Sequence, residues 1–329
     1  MIINVFKGSH PASYILASIG LVVAGLLWGD GGVIGADAQE MPLYHVFTVA
    51  ISWLPGWTIS LITFCIIGAQ AFQWNRIIAD YEVLHKKSLL PLLMFVLYAV
   101  AIPDFFSINP ALLVTSIILI ISEKLFSLYK NPNPLRIVFE TAFWSAVATL
   151  VWFPAITLFL FVLISWIILK NVTGRDLLVG TIGFLLPFYL TFVVLFWNDH
   201  ASPIGVLLPV LSSKNVFYPF LIESKNVWGF IAAFGTFTCI SAWRINKNFY
   251  KNATRVRLFQ QTTYLLIIFI TAALFIGKGA MTYSFYPLVI PISLLLSYFF
   301  LLGKQNWWEE LLFMILFITT SLLSSSLLF

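Results

Sequence analysis

The chain has 329 residues, of which 60% are hydrophobic, 17% are aromatic and only 9% are charged, and its mean hydropathy is +0.97. Apolar runs of this length exceed what one globular core buries, so the composition excludes a soluble domain. Runs of about 16 to 22 apolar residues, separated by short polar connectors, suit helices that cross a bilayer. No alternation of period two is sustained, which argues against a transmembrane barrel.

The apolar runs predict an all-α fold, a polytopic bundle of about eleven transmembrane helices in a single integral membrane domain over residues 1–329. The predicted spans, in chain order, are residues 11–28, 56–72, 88–103, 110–122, 137–153, 155–169, 177–197, 227–243, 259–276, 283–302 and 311–329. Prolines interrupt this pattern before the second span, at Pro55, and inside later spans, at Pro187, Pro287 and Pro291. We expect kinked or broken helices at these positions.

Three connecting segments are distinctive. Residues 29–54 form a first outer loop, and its second half is apolar enough either to re-enter the membrane or to lie on its surface. Residues 198–226 mix charged residues with apolar ones and several prolines, which predicts a segment on the outer membrane surface. Residues 244–257 form the most basic connector, which we expect on the cytoplasmic side.

The distribution of basic residues predicts the orientation. With the N-terminus in the cytoplasm and the C-terminus outside, 15 of the 18 lysines and arginines fall on the cytoplasmic side. Only Lys214, Lys225 and Lys278 then fall outside. An excess of cations on the cytoplasmic side is the usual signature of helical membrane proteins.

Several chemistries find no support in the sequence. Phosphate-binding loops, dinucleotide fingerprints and the HExxH, CxxC and GxSxG strings are absent. The two cysteines, Cys65 and Cys239, each lie inside an apolar run, which predicts small packing residues with no disulfide and no metal site. The net charge of +5 does not indicate nucleic acid, because no soluble part of the chain could read it.

Part of the chain, from Gln70 to Leu190, carries a recognisable pattern. It consists of Gln70 through Asn75-Arg76 and Tyr81, then Asn131-Pro132-Asn133-Pro134 with Arg136 and Phe139, Trp152-Phe153-Pro154, and the step from Gly183 to Pro187. This pattern resembles a family of uncharacterised polytopic inner-membrane proteins of Bacteroidota, a domain of unknown function. The resemblance implies a multi-pass protein of the bacterial inner (cytoplasmic) membrane, and it brings no established activity.

Acidic residues gather on the predicted outer face. The predicted orientation puts six carboxylates there, Asp30, Asp37, Glu40, Asp104, Asp199 and Glu223. One interpretation is that they are solvated loop acids. The alternative is a catalytic or ion-binding carboxylate at the end of the first span.

The second interpretation rests on a layout that is similar to that of polyprenyl-phosphate-dependent membrane glycosyltransferases, which place an acid in the first outer loop as general base for the acceptor hydroxyl. At the matching positions, this resemblance implies Asp30 and Asp37 as catalytic residues. Residues expected to bind substrate at the same face are Glu40, His45, Asp104, Lys214 and Lys278. No arginine lies outside to hold phosphates, so a divalent cation is the possible cofactor, although no protein metal site is recognisable.

Two charged patterns lie on the predicted cytoplasmic side. Glu140 follows Arg136 by one helical turn, which predicts an ion pair near the surface; proton coupling is the alternative. Basic residues recur every three or four positions in the connector 244–257, so on one helix they would line one face turned toward anionic lipid. This predicted lipid-facing set is Arg244, Lys247, Lys251 and Arg255.

Three functions therefore remain open at the level of sequence. The first is an enzyme of bacterial envelope biogenesis that uses a polyprenyl-phosphate-linked sugar at the outer leaflet. The second is a non-catalytic subunit or scaffold of a larger inner-membrane complex. The third is a transporter or flippase, suggested by the proline-interrupted spans, where freed backbone carbonyls can bind cargo. Expected partners are membrane lipids, the lipid-linked sugar and other inner-membrane subunits.

Overall fold

A computed structural model describes residues 41–84, 88–101, 103–129, 131, 134–170, 172–197, 225–247, 252–276, 282–301 and 311–314. The elements of these residues are helical, as the sequence predicts. The α-helices are α1 (Pro42–Ile51), α2 (Gly56–Asp80), α3 (Leu90–Val100), α4 (Pro110–Leu128), α5 (Pro134–Val151), α6 (Thr157–Leu169), α7 (Gly174–Trp197), α8 (Lys225–Lys247), α9 (Thr254–Ala273) and α10 (Val289–Leu301). Short 3-10 helices lie at Pro103–Phe106, Phe153–Ile156 and Thr282–Leu288.

Six helical segments of the described chain are long and apolar enough to cross a membrane. They are α2, α4, α5, α7, α9 and the combined segment Thr282–Leu301, whereas α1, α3 and Phe153–Leu169 are shorter apolar helices. Predicted span 11–28 lies outside the described residues, and so does most of span 311–329. The count of eleven and the orientation of the termini thus stay predictions.

The helix ends differ from the predicted spans where buried packing continues beyond the apolar run. Helix α2 runs eight residues past the predicted end at Phe72, because Trp74 and Ile78 still face the protein interior. Helix α4 likewise continues past Ser122, because Leu125 and Phe126 are buried. The predicted span 283–302 is divided into a 3-10 helix and α10, as the prolines at 287 and 291 suggest.

The helices run alternately up and down, and this gives the bundle two ends. We call the end at which α2 and α4 finish and α9 begins the basic end. There the Tyr81 ring, directly after α2, lies 5.8 Å from the Phe126 ring of α4 and 6.2 Å from the Phe259 ring of α9, measured between centroids. At the opposite end, the Phe105 ring meets the Tyr286 ring at 5.2 Å. Connectors that are distant in sequence therefore lie together at each end.

The centre of the bundle is the segment Thr282–Leu301. In this segment 94% of the most apolar window is buried, and α3, α4 and α8 pack around it. Helix α7 is peripheral, since only 17% of its window is buried. Both Thr282–Leu301 and α7 are strongly apolar, but Thr282–Leu301 faces protein on all sides and α7 faces mostly outward.

Helix α7 contacts α5 through a narrow stripe of residues. Only Asp176, Gly180, Gly183 and Pro187 are buried along its length, and they recur at helical spacing on one side. A Cβ atom on Gly183 would lie 2.8 Å from the Phe139 backbone oxygen, which is closer than carbon and oxygen normally approach. The absence of side chains at these glycines lets the two helices pack closely.

The cysteine prediction is wrong in one respect. Cys65 and Cys239 are free thiols, but both are exposed on the outside of the bundle and do not fill gaps between helices. An apolar run gives no sign of which side faces protein, because a lipid-facing side of a helix is as apolar as a core-facing one.

Candidate functional site

The opposite end of the bundle is built from short elements that pack on one another. The hydroxyl of Tyr44 in α1 donates to the Ile108 carbonyl oxygen at 3.2 Å, which fixes α1 against the turn before α4. Met41, directly before α1, is fully buried against Phe153 and Ile276. Helix α1 has 10 residues, about 15 Å, so it is too short to cross a bilayer and lies within this end of the protein.

Two of the predicted site residues belong to elements of this end. His45 follows Tyr44 on α1 with its side chain exposed. Asp104 belongs to the 3-10 helix Pro103–Phe106, which leads to the turn at Ile108. The two residues lie at the same end of the bundle, although only the backbone of Asp104 is described, and their role in a site stays a prediction. The remaining predicted catalytic and substrate-binding residues lie outside the described residues: Asp30, Asp37, Glu40, Lys214 and Lys278.

A buried polar network lies just inside the opposite end. The Gln70 amide nitrogen donates to the Leu112 carbonyl at 2.9 Å and to the Ser116 hydroxyl at 2.8 Å. The amide oxygen of Gln70 accepts from the Tyr286 hydroxyl at 2.8 Å. Polar groups that are satisfied in this way fix the register of α2, α4 and the central segment. Sequence reasoning did not detect this network, and a glutamine inside an apolar helix is the signal that could have shown it.

The break before α10 is closed by a second hydrogen bond. The Tyr98 hydroxyl of α3 donates to the Phe285 carbonyl oxygen at 2.8 Å, and its ring stacks on Phe105 at 5.9 Å between centroids. This carbonyl belongs to the 3-10 helix with Pro287, where a transporter would expose backbone oxygens to cargo. Here a protein side chain occupies it.

At the basic end, two carboxylates are held in ion pairs. Glu140 accepts from Arg136 Nε at 2.7 Å, as the spacing predicts, and also from Lys124 Nζ at 2.7 Å. Two cations on one carboxylate favour the structural interpretation of Glu140 over proton coupling.

The second ion pair, between Lys170 and Asp176, was not predicted from the sequence. The Lys170 ammonium lies 2.8 Å from the Asp176 carboxylate, and the two side chains are 17% and 3% exposed. Asp176 also accepts from the Thr173 backbone N–H and hydroxyl, both at 2.8 Å, and so caps the first turn of α7. The string Thr-x-x-Asp before an apolar run is the capping-box signal that could have identified it.

The basic connector 244–257 is divided between two helices, so its cations do not line one face of one helix as predicted. Arg244 and Lys247 end α8, whereas Arg255 lies in the first turn of α9. Lys251 lies outside the described residues. Helix α8 ends at Lys247 and α9 begins at Thr254, so Arg244 and Lys247 belong to a different helix from Arg255.

Each described member of this set lies over an aromatic ring. Arg244 lies 4.8 Å from the Phe299 centroid, and Lys247 lies 5.7 Å from the Trp243 centroid. Arg255 lies 5.6 Å from the Tyr81 centroid, and burial, followed by the Glu123 carboxylate, raises the pKa of that phenol. Tyr81 therefore stays neutral at pH 7 and offers a ring face to the guanidinium. Contact of these cations with anionic lipid stays a prediction.

The described residues hold no group of three or more histidine, cysteine, aspartate or glutamate side chains that could bind a metal ion. Comparisons with protein-family models, curated proteins and solved structures find no match to this chain. The interpretation of the site therefore depends on the geometry and the charge of the chain itself.

Proposed function

We propose that this chain is a multi-pass protein of the bacterial inner membrane that acts in envelope biogenesis and transfers a sugar from a polyprenyl-phosphate-linked donor at the outer leaflet. The family resemblance to uncharacterised Bacteroidota membrane proteins belongs to the same proposal. The observation that carries the proposal is the separation of charge between the two ends of the bundle.

This separation is pronounced. Among the described residues, the cations of the basic end are Arg76, Lys124, Arg136, Lys170, Arg175, Arg244, Lys247, Arg255 and Arg257. Of the described part of the chain, only Lys225, the first residue of α8, lies at the opposite end. Because cytoplasmic ends carry the excess of lysine and arginine, the basic end is the cytoplasmic one in this proposal.

The opposite end then faces outward and receives the chain that follows the predicted catalytic loop. Met41 is anchored there, and Glu40 and Asp37 precede it in sequence by one and four residues. In this proposal Asp37 acts at the same end as His45 and Asp104, because it precedes the buried Met41 by four residues, a length of chain that spans at most about 14 Å. A carboxylate at this end of the bundle is suited to take the proton from the hydroxyl of the sugar acceptor.

The test is to replace Asp30 or Asp37 with asparagine in the native host and to profile the envelope glycans by mass spectrometry. Each replacement should lower product by a factor of about 100 or more, because an asparagine cannot accept the proton. Immunoblots should show unchanged accumulation in the membrane. Asp80→Asn is the matched control, since Asp80 is an exposed carboxylate at the basic end. Unchanged glycan profiles in both loop variants would remove the enzyme proposal.

A second candidate is a non-catalytic subunit of a larger inner-membrane complex. It is favoured by the described interior, where the two least exposed carboxylates, Glu140 and Asp176, are both neutralised by cations. Purification in mild detergent should then yield stoichiometric partners, and an isolated monomer would count against it. The transporter alternative is weakened by the Tyr98 hydrogen bond to the Phe285 carbonyl, which leaves less free backbone at the helix break.

A further inference from the structure

Exposed tryptophans mark the opposite end of the bundle. Trp57 lies in the first turn of α2, Trp197 is the last residue of α7, and Trp228 lies in the first turn of α8. These residues are 67%, 85% and 53% exposed. An indole ring combines a large apolar body with one N–H donor, so it favours the boundary between lipid headgroups and acyl chains. The three rings therefore indicate where the membrane boundary lies at this end.

The same three helices carry exposed cations at the basic end. They are Arg76 of α2, Arg175 of α7 and Lys247 of α8. The tryptophan and the cation are separated by 19 residues in α2 and in α8 and by 22 residues in α7. At 1.5 Å per residue these separations are about 28 Å and 33 Å, close to the roughly 30 Å of hydrocarbon in a bilayer. The three helices thus agree on the level of both membrane boundaries.

Helix α1 crosses the opposite end of the bundle and does not run along it. Met41, directly before α1, packs on residues that follow α5 and α9. Ile51, the last residue of α1, packs on Ile59 in the first turn of α2 and on Ile108 before α4. Both ends of α1 therefore contact the same end of the bundle. Because Ile59 is two residues from Trp57, α1 lies at the level of the membrane boundary.

The side chains of α1 fall on three sides of the helix at 100° per residue. The side that packs on protein carries Tyr44, Phe47 and Ile51. A second side is apolar and carries Val46, Val49 and Ala50, of which the two valines are 65% and 56% exposed. The third side is polar and carries His45, Thr48 and Ser52. A helix with protein, an apolar surface and a polar surface on its three sides fits the boundary between lipid and water.

The end of α1 is closed by hydrogen bonds from the chain itself. The carbonyls of its last three residues each accept from the residue three positions further on. The donors are the Ser52 hydroxyl at 2.9 Å, the Trp53 indole N–H at 2.6 Å and the Leu54 backbone N–H at 3.0 Å. Carbonyls at a helix end have no partner within the helix, and they need one from the protein where water is scarce. This closure suits a helix end that borders lipid.

We propose that α1 is an interfacial helix in the lipid leaflet at the opposite end, with Val46 and Val49 toward the acyl chains, Trp53 at the level of the headgroups, and His45 toward water. The partner that this surface fits is the leaflet itself, whose boundary offers hydrocarbon and water on adjacent sides of one helix. The second half of the loop 29–54 then lies on the membrane surface and does not re-enter the membrane. This inference goes beyond sugar transfer and holds whether or not the chain is an enzyme.

The test measures the depth of single positions in a bilayer by electron paramagnetic resonance of nitroxide labels. The purified full chain, with Cys65 and Cys239 replaced by serine, receives one new cysteine as Val46→Cys, Val49→Cys or His45→Cys. Each variant is labelled and reconstituted into vesicles of phosphatidylcholine and phosphatidylglycerol. Oxygen partitions into hydrocarbon and a nickel chelate stays in water, so the ratio of their collision rates with the label reports its depth.

Two positions on α2 provide the reference depths. Native Cys65 is exposed and lies eight residues, about 12 Å, deeper than Trp57, and Asp80→Cys is the aqueous reference at the basic end. Labels at positions 46 and 49 should favour oxygen over nickel at least about 3-fold more than the label at position 80, at a depth of about 5 to 10 Å. The label at position 45 should match position 80 within about twofold.

Three outcomes would overturn the proposal. Labels at positions 46 and 49 that meet nickel as often as position 80 would place α1 in water, and labels that meet neither reagent would show that protein covers this side. Labels as deep as Cys65 would make α1 re-entrant. Thermal unfolding of the labelled variants should match that of the cysteine-free parent, because the replaced side chains are exposed. No sugar donor enters these measurements, so failure of this proposal is separable from failure of the proposed enzyme.

Discussion

Replacing Gly183 with alanine is expected to destabilise the protein by about 1 to 3 kcal/mol, and leucine at the same position should displace α7 from α5. The new Cβ would lie 2.8 Å from the Phe139 backbone oxygen and 3.1 Å from the Phe139 ring, and a backbone oxygen cannot rotate away. Since α7 contacts α5 mainly along this buried stripe, the helix must shift as a whole.

The neighbouring glycine, Gly180, tests how closely α7 packs on Trp166 of α6. A Cβ on Gly180 would overlap the ring of Trp166, which is fully buried and donates from its indole nitrogen to Thr141 at 3.2 Å. The matched control is Gly68→Ala, because nothing lies within 4 Å of the added Cβ and alanine favours the helix by about 0.5 to 1 kcal/mol. Thermal unfolding in detergent measures the stability of the alanine variants at Gly183, Gly180 and Gly68. A Gly183→Ala variant as stable as the wild type would refute the close packing of α7 on α5.

Replacing Lys170 with methionine is expected to cost about 3 to 5 kcal/mol, because it leaves the Asp176 carboxylate buried without its cation. The Asp176 side chain is 3% exposed, and its carboxylate also accepts from the backbone N–H and the hydroxyl of Thr173. Adding Asp176→Asn to Lys170→Met should restore most of the lost stability. The asparagine oxygen can still accept from Thr173 and carries no charge.

The control for this ion pair is an exposed one. Arg76 and Asp80 form a pair at 3.3 Å with side chains 73% and 61% exposed, so Arg76→Gln should cost less than about 1 kcal/mol. A double-mutant cycle for Lys170 and Asp176, measured by denaturation in detergent, gives their coupling energy. If Lys170→Met costs no more than Arg76→Gln, the pair does not stabilise the start of α7.

The sequence predicted the six long apolar helices of the described residues because a bilayer-spanning helix requires a long apolar run. It did not predict which helix is central. The segment Thr282–Leu301 and α7 are alike in composition, but they differ widely in burial. Lipid and protein core are equally apolar environments, so only the small residues at Gly180 and Gly183 distinguish the side of α7 that packs on protein. The outward-facing cysteines show the same limit.

Charged residues were predictable where their partners are close in sequence. Arg136 and Glu140 are one helical turn apart, and their pair was found from the spacing alone. Lys124, the second partner of Glu140, comes from the preceding helix, so its contact depends on how α4 and α5 pack.

The sidedness of the two bundle ends is tested most directly on α2, whose 25 residues extend about 37 Å and so exceed the roughly 30 Å of hydrocarbon. In a variant with Cys65 and Cys239 replaced by serine, single cysteines are introduced as Trp53→Cys, just before α2, and Asp80→Cys, at its last residue. A membrane-impermeant thiol reagent is then applied to spheroplasts. The account predicts that position 53 reacts in intact spheroplasts and that position 80 reacts only after permeabilisation. Reaction of both positions from outside, or of position 80 alone, would contradict it.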